Sequence, residues 1–307
     1  MQYPTVRLRL PLLRRPARRL AALLAPLLAL AVFVGCSTLD ERQREWIFRP
    51  VTETPWAGPN ATLGMEDVWI DFASAETGAR SRLHGVWLAR AQADAPVLLY
   101  LHGARWDVTG SASRVRRMSE LGFSVLAIDY RGFGKSSAAL PSEALAREDA
   151  RIAWQWLAAR QPAAPRYIFG HSLGGAIAVD LASRVTDEAG LIVEGSFTSI
   201  PDVFASMRWG WLPLGPLITQ RFEAVERIGE VGAPVLIVHG SKDTLIPPAL
   251  GRSLYDKAAQ PKRWLLVDGG SHHSTNAVGE AAYREALHEL FGLGGAGVLP
   301  PLGAASP

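Results

Sequence analysis

The sequence predicts an α/β domain with a mostly parallel central sheet, helices on both faces and a short cap insertion. Two observations carry this expectation. After Pro96, short and continuously apolar runs recur between stretches with helical spacing, the alternation produced by parallel strands buried on both faces and joined by helical crossovers. The pentapeptide Gly170-His171-Ser172-Leu173-Gly174 also stands between an apolar run and a small-residue helical stretch, the strand-turn-helix setting that pushes a serine hydroxyl above a sheet. At 307 residues the chain is long enough to bury one large core.

Residues 1–35 have the parts of an export signal. An arginine-rich start precedes an apolar run, Leu20 to Val34, and a boundary at Cys36. The run is shorter than the roughly 20 apolar residues that span a bilayer. Phe33-Val34-Gly35-Cys36 resembles a bacterial lipobox, and Cys36 is the only cysteine in the chain, so it has no internal disulfide partner. The expectation is a lipoprotein of the bacterial cell envelope, lipid-anchored to the membrane through Cys36. By the same resemblance, Ser37 at the second mature position favours the outer membrane, periplasmic side.

Residues 36–64 mix charge, proline and tryptophan without a long periodic pattern, and read as a surface tether. The folded domain is expected over residues 65–291. It opens with Val68 to Phe72 and Leu83 to Leu88, which alternate around a Gly78 turn as an antiparallel edge pair would. Central strands are expected at Val97 to Leu101, Val125 to Ile128, Tyr167 to Phe169, Leu191 to Val193, Val235 to Val238 and Trp264 to Val267. Helices are expected at Ala112 to Leu121, Ala144 to Ala159, Leu173 to Val185, Ala249 to Ala258 and Gly279 to Phe291.

One interval breaks the alternation. Residues 197–226 carry Phe204, Met207, Trp209, Trp211, Leu212, Leu214 and Leu217 among three prolines, and read as a cap. Its aromatic residues either line a substrate pocket or pack the insert onto the sheet. Residues 292–307 are mostly Gly, Pro and Ala and are expected to be disordered.

Charge argues against nucleic acid as a partner. The formal charge is +3, but six arginines fall in the first 35 residues, which hold no acid and no lysine; the remainder has 26 Lys+Arg against 29 Asp+Glu. A basic groove for phosphates is not implied.

A serine hydroxyl becomes nucleophilic only when a base takes its proton and an acid holds that base in one tautomer. Of the seven histidines, only His272 and His273 sit in the loop after the last expected strand, where a base could reach over the sheet to Ser172. The small-residue approach Gly269-Gly270-Ser271 favours His272, with His273 as the alternative. The acid belongs between serine and histidine, on a loop at a strand's carboxyl end. Asp243 fits, with Asp268 and Glu194 as weaker candidates. An oxyanion hole needs two main-chain N–H groups, expected from Leu173 and from Ala104 in the His102-Gly103-Ala104 turn. Arg105, Trp106 and Asp107 become candidates for the pocket rim. No cofactor is expected, and no metal, because His272 and His273 lack further ligands at recognisable spacing.

These motifs together resemble an α/β-hydrolase. The elbow, Asp129-Tyr130-Arg131-Gly132-Phe133-Gly134-Lys135-Ser136 and Gly240-Ser241-Lys242-Asp243-Thr244-Leu245-Ile246-Pro247 are similar to the BEM46-like branch and to serine aminopeptidase S33-type domains, including ABHD-type lipases and thioesterases. The resemblance covers about Val97 to Phe291. It departs after His102-Gly103, where such relatives usually have an Asn-rich stretch and this chain has Ala104-Arg105-Trp106-Asp107. What the resemblance implies is a serine hydrolase acting on a small-molecule acyl ester, thioester or amide. The alternatives are an amidase or aminopeptidase of the same fold and a non-catalytic envelope binding module.

Overall fold

A computed structural model describes residues 35–52, 57–58, 60–92, 94–208 and 210–293. The chain divides into two compact units, Met1–Arg42 and Gln43–Pro307. In the first, residues 35–42 are helical and Cys36 is exposed; the signal expected over residues 1–35 falls almost wholly outside the described residues, as does the tail from residue 294. Among the described residues, no helix is long and apolar enough to cross a membrane.

The second unit is built on an eight-stranded sheet with the order β1-β2-β4-β3-β5-β6-β7-β8. β1 (Glu66–Ala73) and β2 (Arg80–Leu88) pair antiparallel, and β2 pairs antiparallel with β4 (Ser124–Ile128). The rest of the sheet is parallel: β3 (Val97–Leu101), β5 (Arg166–His171), β6 (Gly190–Glu194), β7 (Val235–Gly240) and β8 (Lys262–Val267). Every residue of β3, β4, β6 and β7 is buried. That is why these strands read as unbroken apolar runs, while β1, at the edge, alternates.

The crossover helices are α1 (Val108–Glu120), α2 (Glu143–Arg160), α3 (Leu173–Ala182), α6 (Pro248–Lys257) and α8 (Glu280–Phe291), with a single turn α7 (Thr275–Val278) before the last. Caps set where the first two begin: Asp107 accepts from Gly110 N–H at 2.8 Å and Ser142 from Leu145 N–H at 3.2 Å. Asp107 is therefore a helix cap and not part of the pocket rim. The apolar core lies on both sheet faces, so the carboxyl ends of β3, β5, β6 and β7 open onto one rim where loops gather.

The cap holds α4 (Ile200–Ser206), a 3₁₀ turn at Gly215–Leu217 and α5 (Ala224–Arg227). Glu143 clasps its far end, accepting from the N–H groups of Arg221 (2.9 Å) and Phe222 (3.0 Å) while its own N–H donates to Gln220 at 2.7 Å. The stretch expected to be a surface tether differs from that expectation. Residues 43–48 are helical, Gln43 bonds Leu217 and Thr219 in the cap, and Phe48 is fully buried against Phe133 and Phe222. One apolar side chain converts a polar, proline-rich stretch into part of the core, because its burial outweighs the mixed composition around it.

Candidate active site

Ser172 sits between β5 and α3 with φ 56° and ψ −121°. A non-glycine residue in this left-handed region stores strain of about 1–3 kcal/mol and persists only where its surroundings impose it. Here its N–H donates to the Glu194 carbonyl at 2.9 Å, and its carbonyl accepts from Gly175 N–H at 2.9 Å and Ser196 Oγ at 2.8 Å. Close approach explains the flanking glycines. A methyl group on Gly170 would overlap the Gly174 carbonyl, and one on Gly174 would overlap the carbonyls of Leu101 and His102.

His272 follows β8 in the loop Gly269–Ser274. Its Nδ1 donates to Asp243 Oδ2 at 2.7 Å, and both side chains are almost wholly removed from water. The acid's other oxygen accepts from Leu245 N–H (3.0 Å) and Ile246 N–H (2.8 Å). Burial alone would push the Asp243 carboxyl up; the ring N–H groups of His239 and His272 that face it and the Ile246 N–H outweigh burial and hold the carboxyl well below the usual range. The competing acids point elsewhere: Asp268 accepts from Ser241 Oγ at 3.0 Å, and Glu194 pairs with Arg114 at 3.0 Å.

His239, at the end of β7, escaped the sequence reading. Its Nε2 donates to Ile246 O at 3.0 Å and lies 3.3 Å from Asp243 Oδ2, so it braces the acid loop. The signal was its place four residues before Asp243 on the same strand end. His171 was also missed; its Nε2 donates to the His272 carbonyl at 2.9 Å and ties the elbow to the histidine loop. His273 is exposed and stacks on Trp106, centroid to centroid 4.9 Å. Although one face of His273 is exposed, the partial burial of the other, then its contact with the His272 ring and the nearby Arg114 charge, lower its ring to about 4, and burial holds His171 well below its ordinary value. His171, His272 and His273 each offer a ring nitrogen within 4.8 Å of the other two. The structure thus supplies the third ligand that spacing alone did not reveal; such a group could hold a metal.

Ser172, His272, Leu173 and Ala104 all line one cavity of about 420 Å³. Leu173 is the first residue of α3, so its N–H is among those without an intrahelical acceptor. A methyl group on Gly103 would stand 3.0 Å from Ser172 Cβ, so the Gly103-Ala104 turn passes directly against the elbow. From the cap, Phe204 and Met207 line the cavity, whereas Trp211 is 74% exposed and takes no part in it; Trp209 lies outside the described residues. Trp46 and Ile47, from the stretch expected to be a tether, line the same cavity.

Comparison with known proteins agrees with this architecture. Residues 92–222 match the family described as serine aminopeptidase, S33. An uncharacterized protein of Mycobacterium tuberculosis is 37% identical over 272 residues, covering 87% of this chain and 94% of that protein. Lysophosphatidylserine lipase ABHD12 of Danio rerio is 37% identical over 190 residues, covering 56% of this chain and 49% of its own length, so the match spans about half of that lipase. Among solved structures, an esterase of Pyrococcus furiosus superposes with a TM-score of 0.62 at 18% identity, covering 79% of this chain and 97% of that one. The elbow, the mostly parallel sheet and the full-length relative converge, and the chain belongs to the α/β-hydrolase family as an ABHD-like serine hydrolase.

Proposed function

We propose that the protein cleaves a carboxylic ester or thioester through an acyl-enzyme on Ser172. The hydroxyl oxygen attacks the acyl carbonyl while His272 Nε2 takes its proton; the imidazolium returns that proton to the departing alkoxide or thiolate. Asp243 holds Nδ1 and so fixes the tautomer. The N–H groups of Leu173 and Ala104 hold the carbonyl oxygen as it becomes negative. Water then attacks the acyl-enzyme by the same route, releasing the carboxylic acid and restoring Ser172. The observation that carries this reading is the buried Asp243–His272 pair, whose imidazole lines the same largely apolar cavity as Ser172. The activity named for the ABHD12 relatives supports a lipid-type acyl ester as substrate. An aminopeptidase reading has less support, since among the described residues no Asp or Glu lines the cavity to receive a substrate amine.

A fluorophosphonate probe tests the proposal. It should label the full chain at one site, and Ser172→Ala should abolish labelling and ester turnover together; labelling that survives the substitution rules out this nucleophile.

We also propose lipid anchoring at Cys36, motivated by the lipobox-like Phe33-Val34-Gly35-Cys36 and by the exposure of the thiol. Cys36→Ser should move the protein from the membrane to the soluble fraction when expressed in a bacterial host. Unchanged fractionation would exclude lipidation as the anchor.

A further inference from the structure

We propose that the outer face of the cap is a membrane-docking surface: Trp211, Leu214 and Leu217, with Trp46 beside them, sink into the headgroup region of a lipid bilayer. This surface goes beyond the esterase reading and does not depend on it; the choice of a bilayer as occupant rests on the anchoring reading at Cys36.

Bare apolar surface is the first observation. Among the described residues, Trp211, Leu217 and Trp46 leave more than half of their surface in water (74%, 55% and 52%), and Met207, Leu214 and Leu245 are exposed as well. Trp69, on the edge strand β1, is also exposed but carries the Arg82 guanidinium 5.6 Å from its ring centroid. The cap has little charge to cover its apolar groups, since Arg208 is the one charged residue between Val203 and Gln220. A water-facing stretch ordinarily carries more, and an exposed apolar patch of this kind marks a surface that another apolar phase covers.

Continuity is the second. Gln43 and Trp46 lie three residues apart on one helix and so share a face. The Gln43 side-chain amide donates to the Leu217 carbonyl at 2.8 Å and accepts from the Thr219 N–H at 2.9 Å, which clasps that face to the cap. Trp46, Met207 and Leu245 line the cavity while remaining exposed, so they form its lip. From Met207 the chain turns tightly through Trp211 to Leu217: Gly210 N–H donates to the Met207 carbonyl and Leu217 N–H to the Leu214 carbonyl, each at 2.9 Å. The exposed side chains therefore make one surface, from the cavity lip to Leu217.

The tether selects the occupant. Gln43, fixed to the cap, stands seven residues after Cys36, a reach of at most about 25 Å even when fully extended. A bilayer holding residue 36 is thus within reach of the cap. Tryptophan favours the boundary between headgroups and acyl chains, and the single charge of the stretch is positive, the sign that anionic lipids attract.

A fluorophore placed on the cap tests this. Cys36 is the only cysteine, and lipidation consumes its thiol, so Trp211→Cys in the full chain takes a nitrobenzoxadiazole label at one position. Leu63→Cys is the control: Leu63 is 72% exposed and precedes β1, which runs in the same direction as β4, so it lies at the end of the sheet opposite the cavity rim. In vesicles of phosphatidylethanolamine and phosphatidylglycerol, the label at 211 should shift to the blue and be quenched by nitroxide-bearing lipid, at a depth of about 5–10 Å, while the label at 63 should do neither. Leu214→Cys repeats the measurement if Trp211→Cys lowers the melting temperature. Absence of quenching on the cap, equal quenching at both positions, or a blue shift without lipid quenching, which would place a second copy of the chain over the cap, would each overturn the proposal.

The parent without an added cysteine separates the two readings. Labelling of Cys36 itself would show that its sulfur carries no lipid, and the anchoring reading would fail. The same labels in Cys36→Ser, mixed with the same vesicles, then decide the docking surface alone: quenching confined to position 211 supports it, and no quenching there overturns it.

Discussion

Three histidines crowd the cavity, and each is in a different state. His272 is hydrogen-bonded to an ionised acid, His171 is buried against the His272 carbonyl, and His273 is stacked on Trp106. Burial and neighbouring positive charge keep His171 and His273 neutral at pH 7. In the unfolded chain both rings protonate near pH 6.5 or so, whereas in the folded chain His273 does so at about 4 and His171 well below its ordinary value. Between those limits the unfolded state binds more protons, so their contribution to stability is complete above the window and is lost as the pH falls through it. Asp243 acts in the same direction at lower pH, since its folded carboxyl stays ionised below the usual range. The melting temperature should therefore drop steadily from pH 7 toward pH 4, and His273→Asn should flatten part of that slope. A parent whose melting temperature is flat across the window would contradict this account of the histidines.

At the scale of elements, the elbow works because β5 and α3 come closer than side chains normally permit. Gly174 sits against the carbonyls of Leu101 and His102 at the end of β3, and these backbone atoms cannot swing aside. Gly174→Ala should destabilise the domain by about 1–3 kcal/mol in urea unfolding and slow fluorophosphonate labelling, because relief of the overlap displaces Ser172. A fully stable and fully reactive variant would show that the approach is looser. This constraint was legible in the sequence, since glycines flank the serine at the spacing a tight strand-to-helix turn needs. Element ends were less legible. β5 continues through Gly170 and His171 because they pair in register with Val193 and Glu194, and α1 begins at Val108 because Asp107 caps it, whereas spacing alone placed its start at Ala112.

The whole molecule meets at Glu194. Its carboxylate accepts from Arg114 of α1 and from the Tyr283 hydroxyl of α8, while its main-chain carbonyl holds the Ser172 N–H at 2.9 Å. Arg114 in turn donates to the His273 carbonyl at 3.2 Å. Burial opposes the Arg114 charge, but the facing Glu194 outweighs it and raises the arginine's proton affinity. Two helices, a central strand and the histidine loop are thereby joined through one buried pair, in which both side chains are at most 2% exposed. Glu194→Gln leaves the guanidinium without its counter-ion and should cost about 3–5 kcal/mol, read as a shifted urea midpoint with an unchanged slope. A shift equivalent to less than about 1 kcal/mol would mean that the pair is far better solvated than its burial indicates.

The amino-acid order by itself determined the α/β class, the central strands to within two residues at either end, the elbow and the Asp243–His272 candidates, because each is written in local signals: apolar runs, glycine spacing and strand-end loops. Only the tertiary structure decided that Phe48 belongs to the core, that Trp46 and Ile47 wall the cavity, and that His239 and His171 brace the acid and base. Those relations join residues far apart in sequence or on different loops, and depend on which surfaces meet when the sheet and cap close, which local spacing does not encode.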